Sequence, residues 1–534
     1  MRSQKLLSVG AALCLLAGVG AAKADEPTCT ALLGRAYAAA VMSLPQAGAR
    51  IAKAEWIAPG GPVRAYCKVT ASIAPVDPAA PPILVAVNLP DQWNRRAVQF
   101  GGGGLNGVLV DGLSQQIHAA PSEPTPLAQG YVTLGTDGGH PAARPEIGVF
   151  FLNDEAVFNH AHGANKKAHD LALAIVADYY RAKPEKFYFV GGSEGGRQAM
   201  GVVQRYPQDY DGVVAVVPGL NVTANYLTKY NAWLASLGDG WLSPAQVALL
   251  DRESARQCDG LDGLSDGVIS KYLACRKVFK FDPIRCADAA REDCLTDRQI
   301  STVETWRNRY SWGFPLANGV TGIAGWPIGG EAQAGAVTQW ITLPTRHATT
   351  DPGFEINSSQ FNRYYVMRDG GFRGPLPLND PAVRARVRQF SAMADQSDTD
   401  LTRFLARGGK LIVVEHSADY ALSPEANFAY FDAVRRRMGA SRANQFVRLY
   451  VIPGANHGGS GLRKDGAPIP NTVDLLGELV RWQDTGTPPG PLIVTAYKEG
   501  RPTATEPLCE YPSYPRYNGA GDPDRAASFR CAPH

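Results

Sequence analysis

The sequence predicts an α/β fold, a mostly parallel sheet flanked by helices, interrupted by one long insertion. Three observations predict it. From Pro82 to Gly219, short β-branched runs alternate with stretches of helical period, a succession that gives parallel strands joined by crossover helices. The same rhythm resumes near Asp398. Between them Asn221–Ser397 breaks the rhythm, is rich in Trp, Tyr, Gly and Arg, and holds four of the nine cysteines. The expected organisation is one α/β domain made of residues 25–219 and 398–534, with residues 220–397 inserted as a cap over its open edge.

Each element has its own signal. "ILVAVNLP" reads as a strand, "RRAVQFGGGG" as a strand ending in glycines, and "YVTLGTDGG" as a third. "NKKAHDLALAIVADYYRA" places Ala168, Leu171, Ile175 and Tyr179 on one helical face. "KFYFVGG" is a strand, "EGGRQAMGVVQRYP" a helix stopped by Pro207, and "YDGVVAVVPG" a strand. After the insertion, "DLTRFLARGG" is a helix and "KLIVVEHSAD" a strand. "EANFAYFDAVRRRMG" is a helix, "FVRLYVIPGANHGG" a strand entering a loop, and "TVDLLGELVRWQDTG" the last helix.

Before the first strand, Met1–Ala24 has Arg2 and Lys5, an apolar run from Leu6 to Ala22, and "AKA" ahead of Asp25. That is the pattern of a secretory leader with a small-residue cleavage site, so Cys14 is expected to leave with it. No later segment is apolar for long enough to span a bilayer. The expectation is an exported protein, secreted or periplasmic. Eight cysteines then remain: Cys29, Cys67, Cys258, Cys275, Cys286, Cys294, Cys509 and Cys531. An even number in an oxidising compartment points to four disulfides, with local connectivity the simplest. No CxxC is present to suggest zinc. With 45% hydrophobic and 19% charged residues and a net charge of +3, neither nucleic acid nor an anionic membrane is suggested as a partner.

Two stretches match GxSxG. "GLSDG", Gly263–Gly267, follows no strand and opens no helix, whereas "GGSEG" around Ser193 does both, as a nucleophile elbow requires. A strained turn there needs small neighbours, supplied by Gly191, Gly192, Gly195 and Gly196. It also turns the N–H of Glu194 toward the reaction centre, at a helix N-terminus that favours negative charge. A phosphate cradle is the competing reading, but neither GxGxxG nor a P-loop lysine is present.

A serine needs a base, and the base a carboxylate. Asp419 follows "KLIVVEHSAD" and His457 follows "VRLYVIPGAN", in the chain order such a triad takes on this kind of sheet. His416 competes for the base, and Asp419 could instead cap the helix at "SPEANF". The glycines of "FGGGGLNG" let backbone N–H groups approach a substrate, with the N–H of Gly103 the expected second oxyanion donor. In "CDGLDGLSDGVIS", Asp259, Asp262 and Asp266, with the carbonyls of Leu264 and Val268, suggest a hard-cation loop. Calcium in a structural role is expected there, against a metal-free Asp-Gly turn cluster.

In order along the chain, "QFGGGGLNG", "FYFVGGSEGGRQ", "CDGLDGLSDGVI", "HSAD" and "VIPGANHGG" resemble the tannase/feruloyl esterase family over nearly the whole mature chain. The resemblance implies an α/β-hydrolase fold with a large lid, a Ser193–Asp419–His457 triad and calcium at the acidic loop. It also implies the pairs Cys29–Cys67, Cys258–Cys275, Cys286–Cys294 and Cys509–Cys531. The implied function is a secreted serine carboxylic-ester hydrolase for esters of feruloyl, galloyl, benzoyl or terephthaloyl type. A serine peptidase and a non-catalytic binding protein are the competing functions. For a planar acyl group the lid aromatics Trp326, Trp340, Phe354, Tyr364 and Tyr365 are expected to stack, with Arg346, Arg363 or Arg368 as partner of any free carboxylate. The chain departs from the family at two places. Most members carry cysteine before the serine and after the histidine; here stand Gly192 and Gly458, which leaves the His457 loop without that bridge.

Overall fold

The computed structural model describes residues 24–142, 146–288, 291–333, 336–341 and 358–534. All of the expected leader except Ala24 lies outside these residues, as do Arg346 and Phe354. One sheet of ten strands organises the molecule: β1 (Ala36–Tyr37), β2 (Ala49–Ile57), β3 (Tyr66–Ile73), β4 (Ile83–Pro90), β5 (Arg96–Phe100), β6 (Val132–Thr136), β7 (Lys186–Gly192), β8 (Gly212–Val216), β9 (Lys410–His416) and β10 (Val447–Ile452). Their order across the sheet is 1-2-3-4-6-5-7-8-9-10. From β6 to β10 every pairing is parallel; β1 to β4, and β4 with β6, pair antiparallel.

The strand sequences explain why the parallel half lies in the middle of the molecule. Alternate side chains of a strand point to opposite faces, and in β7 Phe187 and Phe189 join one apolar cluster while Tyr188 and Val190 join another. The first face is covered by α1 (Ala164–Tyr180) and α2 (Glu194–Arg205), the second by the C-terminal helix. A sheet buried on both faces needs apolar side chains at consecutive positions, which is what "LIVV" and "GVVAV" provide.

After β8 the chain leaves the sheet and returns at β9. In between lie α3 (Val222–Ala235), α4 (Pro244–Cys258) and α5 (Pro381–Ala394), with shorter pieces. Fully buried Trp306 and Trp326 centre one apolar cluster of this region; Phe361, Tyr365 and Phe390 centre another. The sheet resumes, followed by α6 (Pro424–Met438) and α7 (Leu475–Thr485). Two antiparallel hairpins end the chain, Leu492–Lys498 with Arg501–Leu508 and Ser513–Tyr517 with Phe529–Pro533. These hairpins and the antiparallel β1–β3 have no counterpart in the expectations from sequence. Their alternating pattern is diluted by exposed Lys, Arg and Thr, and they pair with neighbours rather than through crossover helices.

All four disulfides have the expected partners, with Cα–Cα separations of 5.5, 5.3, 5.0 and 5.5 Å along the chain. Each closes a loop of modest length and so restricts the unfolded chain by roughly 2–4 kcal/mol.

Backbones pack closely where β7 meets α2. A Cβ on Gly191 would lie 2.3 Å from the carbonyl oxygen of Gly195, and one on Gly195 would lie 2.9 Å from the carbonyl carbon of Gly101. Three backbones therefore touch without side chains between them. Gly191→Ala is expected to destabilise the fold by about 1–3 kcal/mol through overpacking, read as a lowered urea midpoint; an unchanged midpoint would contradict this account of the glycines.

Candidate active site

The register of the parallel strands brings distant residues to one edge. Gly192 of β7 pairs with Val216 of β8, Val216 with Val414 of β9, and His416 of β9 with Ile452 of β10. Three loops therefore emerge side by side: the one beginning at Ser193, the one carrying Asp419 and the one carrying His457. Two hydrogen bonds tie the last two together, Ser417 N–H to the Ile452 carbonyl (3.1 Å) and Ala418 N–H to the Ala455 carbonyl (3.0 Å).

Ser193 sits at φ 59° and ψ −118° directly before α2, a conformation an L-residue holds only when its surroundings impose it. Its own N–H donates to the Val216 carbonyl at 2.9 Å, and its carbonyl accepts from Arg197 N–H at 3.0 Å. The side chain makes no cap bond to its helix. Instead Ser193 Oγ lies 2.9 Å from Nε2 of His457, whose Nδ1 lies 2.8 Å from Oδ2 of Asp419. Asp419 is fully buried, and its Oδ1 accepts from the N–H groups of Ala421 and Leu422 at 2.7 and 2.9 Å. Asp419 Oδ2, facing Nδ1, accepts a hydrogen bond from the imidazole and so fixes the ring proton on Nδ1. Nε2 is then a lone pair facing a hydroxyl. The helix-cap reading of Asp419 does not apply, because Ser423 caps α6. His416 points elsewhere: its Nδ1 meets the Asn456 carbonyl and its Nε2 meets His118.

The family described as "Tannase and feruloyl esterase" matches residues 67–532. The chain belongs to that family. An uncharacterized esterase of Agrobacterium fabrum is 34% identical over 94% of this chain and 93% of its own length. Mono(2-hydroxyethyl) terephthalate hydrolase of Piscinibacter sakaiensis is 28% identical over 88% and 85%. The crystal structure of feruloyl esterase B from Aspergillus oryzae superposes with a TM-score of 0.76 at 22% identity, covering 95% of this chain and 99% of that one. By membership this tannase/feruloyl esterase relative is a carboxylic ester hydrolase with the α/β fold of its neighbours.

Ser193 and His457 open onto a cavity of about 70 Å³ that is also lined by Gly104, Glu194, Val222, Asn225, Tyr226, Lys229 and Trp340. On the glycine loop, Gly101 N–H is committed to the Val190 carbonyl and Gly102 N–H to Gln198 Oε1. Gly103 and Gly104 come next, and it is Gly104 that lines the cavity. Glu194 begins α2, so its N–H has no intrahelical partner.

Sequence reasoning missed the helix opposite. Val222, Asn225, Tyr226 and Lys229 of α3 recur at i, i+3, i+4 and i+7, so one face of α3 forms a wall of the cavity. The spacing was legible in "NVTANYLTK", but polar residues on the inward face disguise it. Lys229 is buried with its ammonium 5.6 Å over the Trp340 ring. Burial lowers it to about 7, against the opposing pull of Asp419.

Of the expected stacking aromatics, Trp340 alone among the described residues lines the cavity, with its ring 5.6 Å from that of His457. Trp326, Tyr364 and Tyr365 are corrected: they are buried in the apolar clusters of the inserted region, where large rings fill space between helices. Arg363 and Arg368 are corrected likewise. The first pairs with Glu146 and donates to the Gly370 carbonyl, and the second pairs with Asp154 and holds the Phe151 and Leu152 carbonyls.

In the acidic loop each carboxylate takes a backbone N–H. Asp259 accepts from Gly267, Asp262 from Leu264 and Ser270, and Asp266 from Val268, all at 3.0–3.1 Å. Burial raises the carboxyl groups of Asp259 and Asp266 and pushes Asp262 up to about 7. Oδ1 of Asp259 is buried without a partner. Among the described residues, no group of three or more His, Cys, Asp or Glu forms a metal site by side chains alone. The donors suit a hard cation only with carbonyl oxygens added.

One buried ion pair supports the Ser193 turn. Arg197, fully buried, donates Nε to Glu194 Oε2 (2.8 Å) and Nη2 to Glu194 Oε1 (2.5 Å), and also holds the carbonyls of His160, Ala161 and Ala394. Arg197→Met would leave the Glu194 carboxylate buried and uncompensated. The expected loss is about 3–5 kcal/mol of stability, measured by chemical denaturation, with the paired change Arg197→Met/Glu194→Gln recovering part of it.

Proposed function

We propose that this protein is an exported serine esterase that hydrolyses esters of aromatic acids through Ser193, His457 and Asp419. The observation that carries the reading is the hydrogen-bonded chain Asp419–His457–Ser193 opening onto a cavity with Trp340 on its wall. His457 Nε2 takes the proton of Ser193 Oγ as the oxygen attacks the ester carbonyl carbon, and Asp419 stabilises the imidazolium so formed. The N–H groups of Glu194 and Gly103 receive the developing oxyanion. His457 returns the proton to the departing alcohol, leaving an acyl-serine. A water, deprotonated by the same imidazole, then releases the acid and restores Ser193. The family and its relative acting on mono(2-hydroxyethyl) terephthalate support a planar aromatic acyl group beside Trp340.

Residues 220–397 act as the lid, since α3 within them supplies a wall of the cavity. Four disulfides and the apolar N-terminal run support export. Calcium is the structural ion that fits the acidic loop: the partnerless Oδ1 of Asp259, with the carboxylates of Asp262 and Asp266 and the carbonyls of Leu264 and Val268, would hold it. Neutralising buried carboxylates, it would stiffen the lid base without touching substrate.

Ser193→Ala should lower kcat/KM on methyl and p-nitrophenyl benzoates by roughly 10⁴-fold or more while the protein stays folded; hydrolysis at the wild-type rate would sink the mechanism. Removing calcium with a chelator should lower Tm by several degrees through the lost binding free energy, with kcat well below Tm unchanged. A chelated protein with the original Tm would remove calcium from the account.

A further inference from the structure

Two buried histidines stand next to this site and take no part in the chemistry just described. His118 Nε2 lies 2.9 Å from His416 Nε2, and His416 Nδ1 lies 2.7 Å from the carbonyl oxygen of Asn456, the residue before His457. The carbonyl oxygen can only accept, so His416 Nδ1 carries a proton. Its Nε2 in the neutral ring is then a lone pair, and His118 Nε2 must be the donor. The result is a directed chain, His118 N–H to His416, His416 N–H to the Asn456 carbonyl. Burial lowers His118 to about 4, against a hydrogen bond to the Asn471 backbone that raises it, and lowers His416 to about 3, so both rings are neutral in the neutral range.

The segment carrying His118 is lodged against both catalytic loops. The tip of the exposed Ile117 side chain reaches the space beside Gly192, its Cδ1 2.2 Å from where a Cβ would lie, directly before Ser193. A Cβ on Gly459, two residues after His457, would lie 2.8 Å from His118 Cε1 and 3.3 Å from His416 Cε1. Gly459 has φ +80°, its N–H donates to the same Asn456 carbonyl (2.9 Å), and the carbonyl of His118 accepts from Val473 N–H (2.7 Å). His118 itself has φ +68°, uncommon for a residue with a side chain.

We infer that Ile117–His118 is a wedge whose imidazole chain through His416 positions the His457 loop against the Ser193 turn. His118 and His416 are positioning residues: they touch the backbone next to the general base, not the substrate. This rests on the esterase reading given above. Its consequence is chemical rather than purely mechanical, because His457 must both accept a proton from Ser193 and deliver one to the alcohol. A displaced imidazole harms the delivery most when the leaving group is a poor one.

The test compares kcat/KM on methyl benzoate and p-nitrophenyl benzoate, since methoxide needs a proton to depart and p-nitrophenolate does not. His416→Ala should lower kcat/KM for the methyl ester by roughly 10–100-fold, the scale of a small displacement of a catalytic group, and distinctly less for the p-nitrophenyl ester. His416→Asn keeps a donor near the Nδ1 position and should recover most of the methyl-ester loss. His118→Phe, which keeps a ring against Gly459, should show the same leaving-group bias in smaller measure. Equal losses on the two esters, matching a fall in folded fraction by circular dichroism, would overturn the proposal, as would full activity in all three variants. A wild type inactive on both esters would instead remove the esterase reading and this inference with it.

Discussion

The molecule depends on the registration of four parallel strands. Because Gly192, Val216 and Val414 lie in one row and His416 is level with Ile452, the loops that follow β7, β9 and β10 have no choice but to open on the same edge. Ser193 is 264 positions from His457 and Asp419 is 38 from it, yet hydrogen-bond reach between them is set by backbone pairing that costs the loops nothing further. A shift of one residue in any strand would turn its side chains to the other face and carry its loop away from the others.

That registration is paid for by sequence in a particular way. The strands must be apolar at every position, because α1 and α2 cover one face and α7 the other. At their ends the requirement reverses. Gly191, Gly195 and Gly101 bring three backbones into contact, and the turn they permit leaves Ser193 in a strained conformation with its hydroxyl on His457 Nε2. Arg197 and Glu194 hold that turn from below, with the guanidinium reaching carbonyls of two other segments. Strain at the serine and over-determination around it are two descriptions of one arrangement.

How much of this could be read without coordinates follows from the same physics. The parallel half of the sheet was legible because strands buried on both faces and crossover helices leave unmistakable periods. Ser193, Asp419 and His457 were legible because each follows such a strand. The acidic loop was read from its own spaced carboxylates and glycines, and the disulfide partners from the local grouping of the cysteines together with the family resemblance. The antiparallel strands at both ends were not, since half-exposed hairpins carry a weak pattern. The cavity wall was misassigned for a related reason: Trp326, Tyr364 and Tyr365 look like binding residues by type, but type does not say whether a ring faces a cavity or a neighbouring helix. Lys229 and Asn225 were overlooked because polar residues on a helix suggest solvent, and here that face turns inward.

Gly192 and Gly458 stand where the family resemblance leads one to expect cysteines, and in the sequence they look like a loss of rigidity next to the general base. In the structure the space beside Gly192 is not vacant. The tip of the exposed Ile117 side chain reaches into it, and a Cβ on residue 192 would have to push that tip aside. Beside Gly458 a Cβ would meet only Asn456 Oδ1, at 3.5 Å. It is Gly459, at φ +80° and with its Cβ position 2.8 Å from His118 Cε1, that is the condition for the imidazole chain, a packed, hydrogen-bonded tie anchored at Asn456 on one side and at the Val473 N–H on the other.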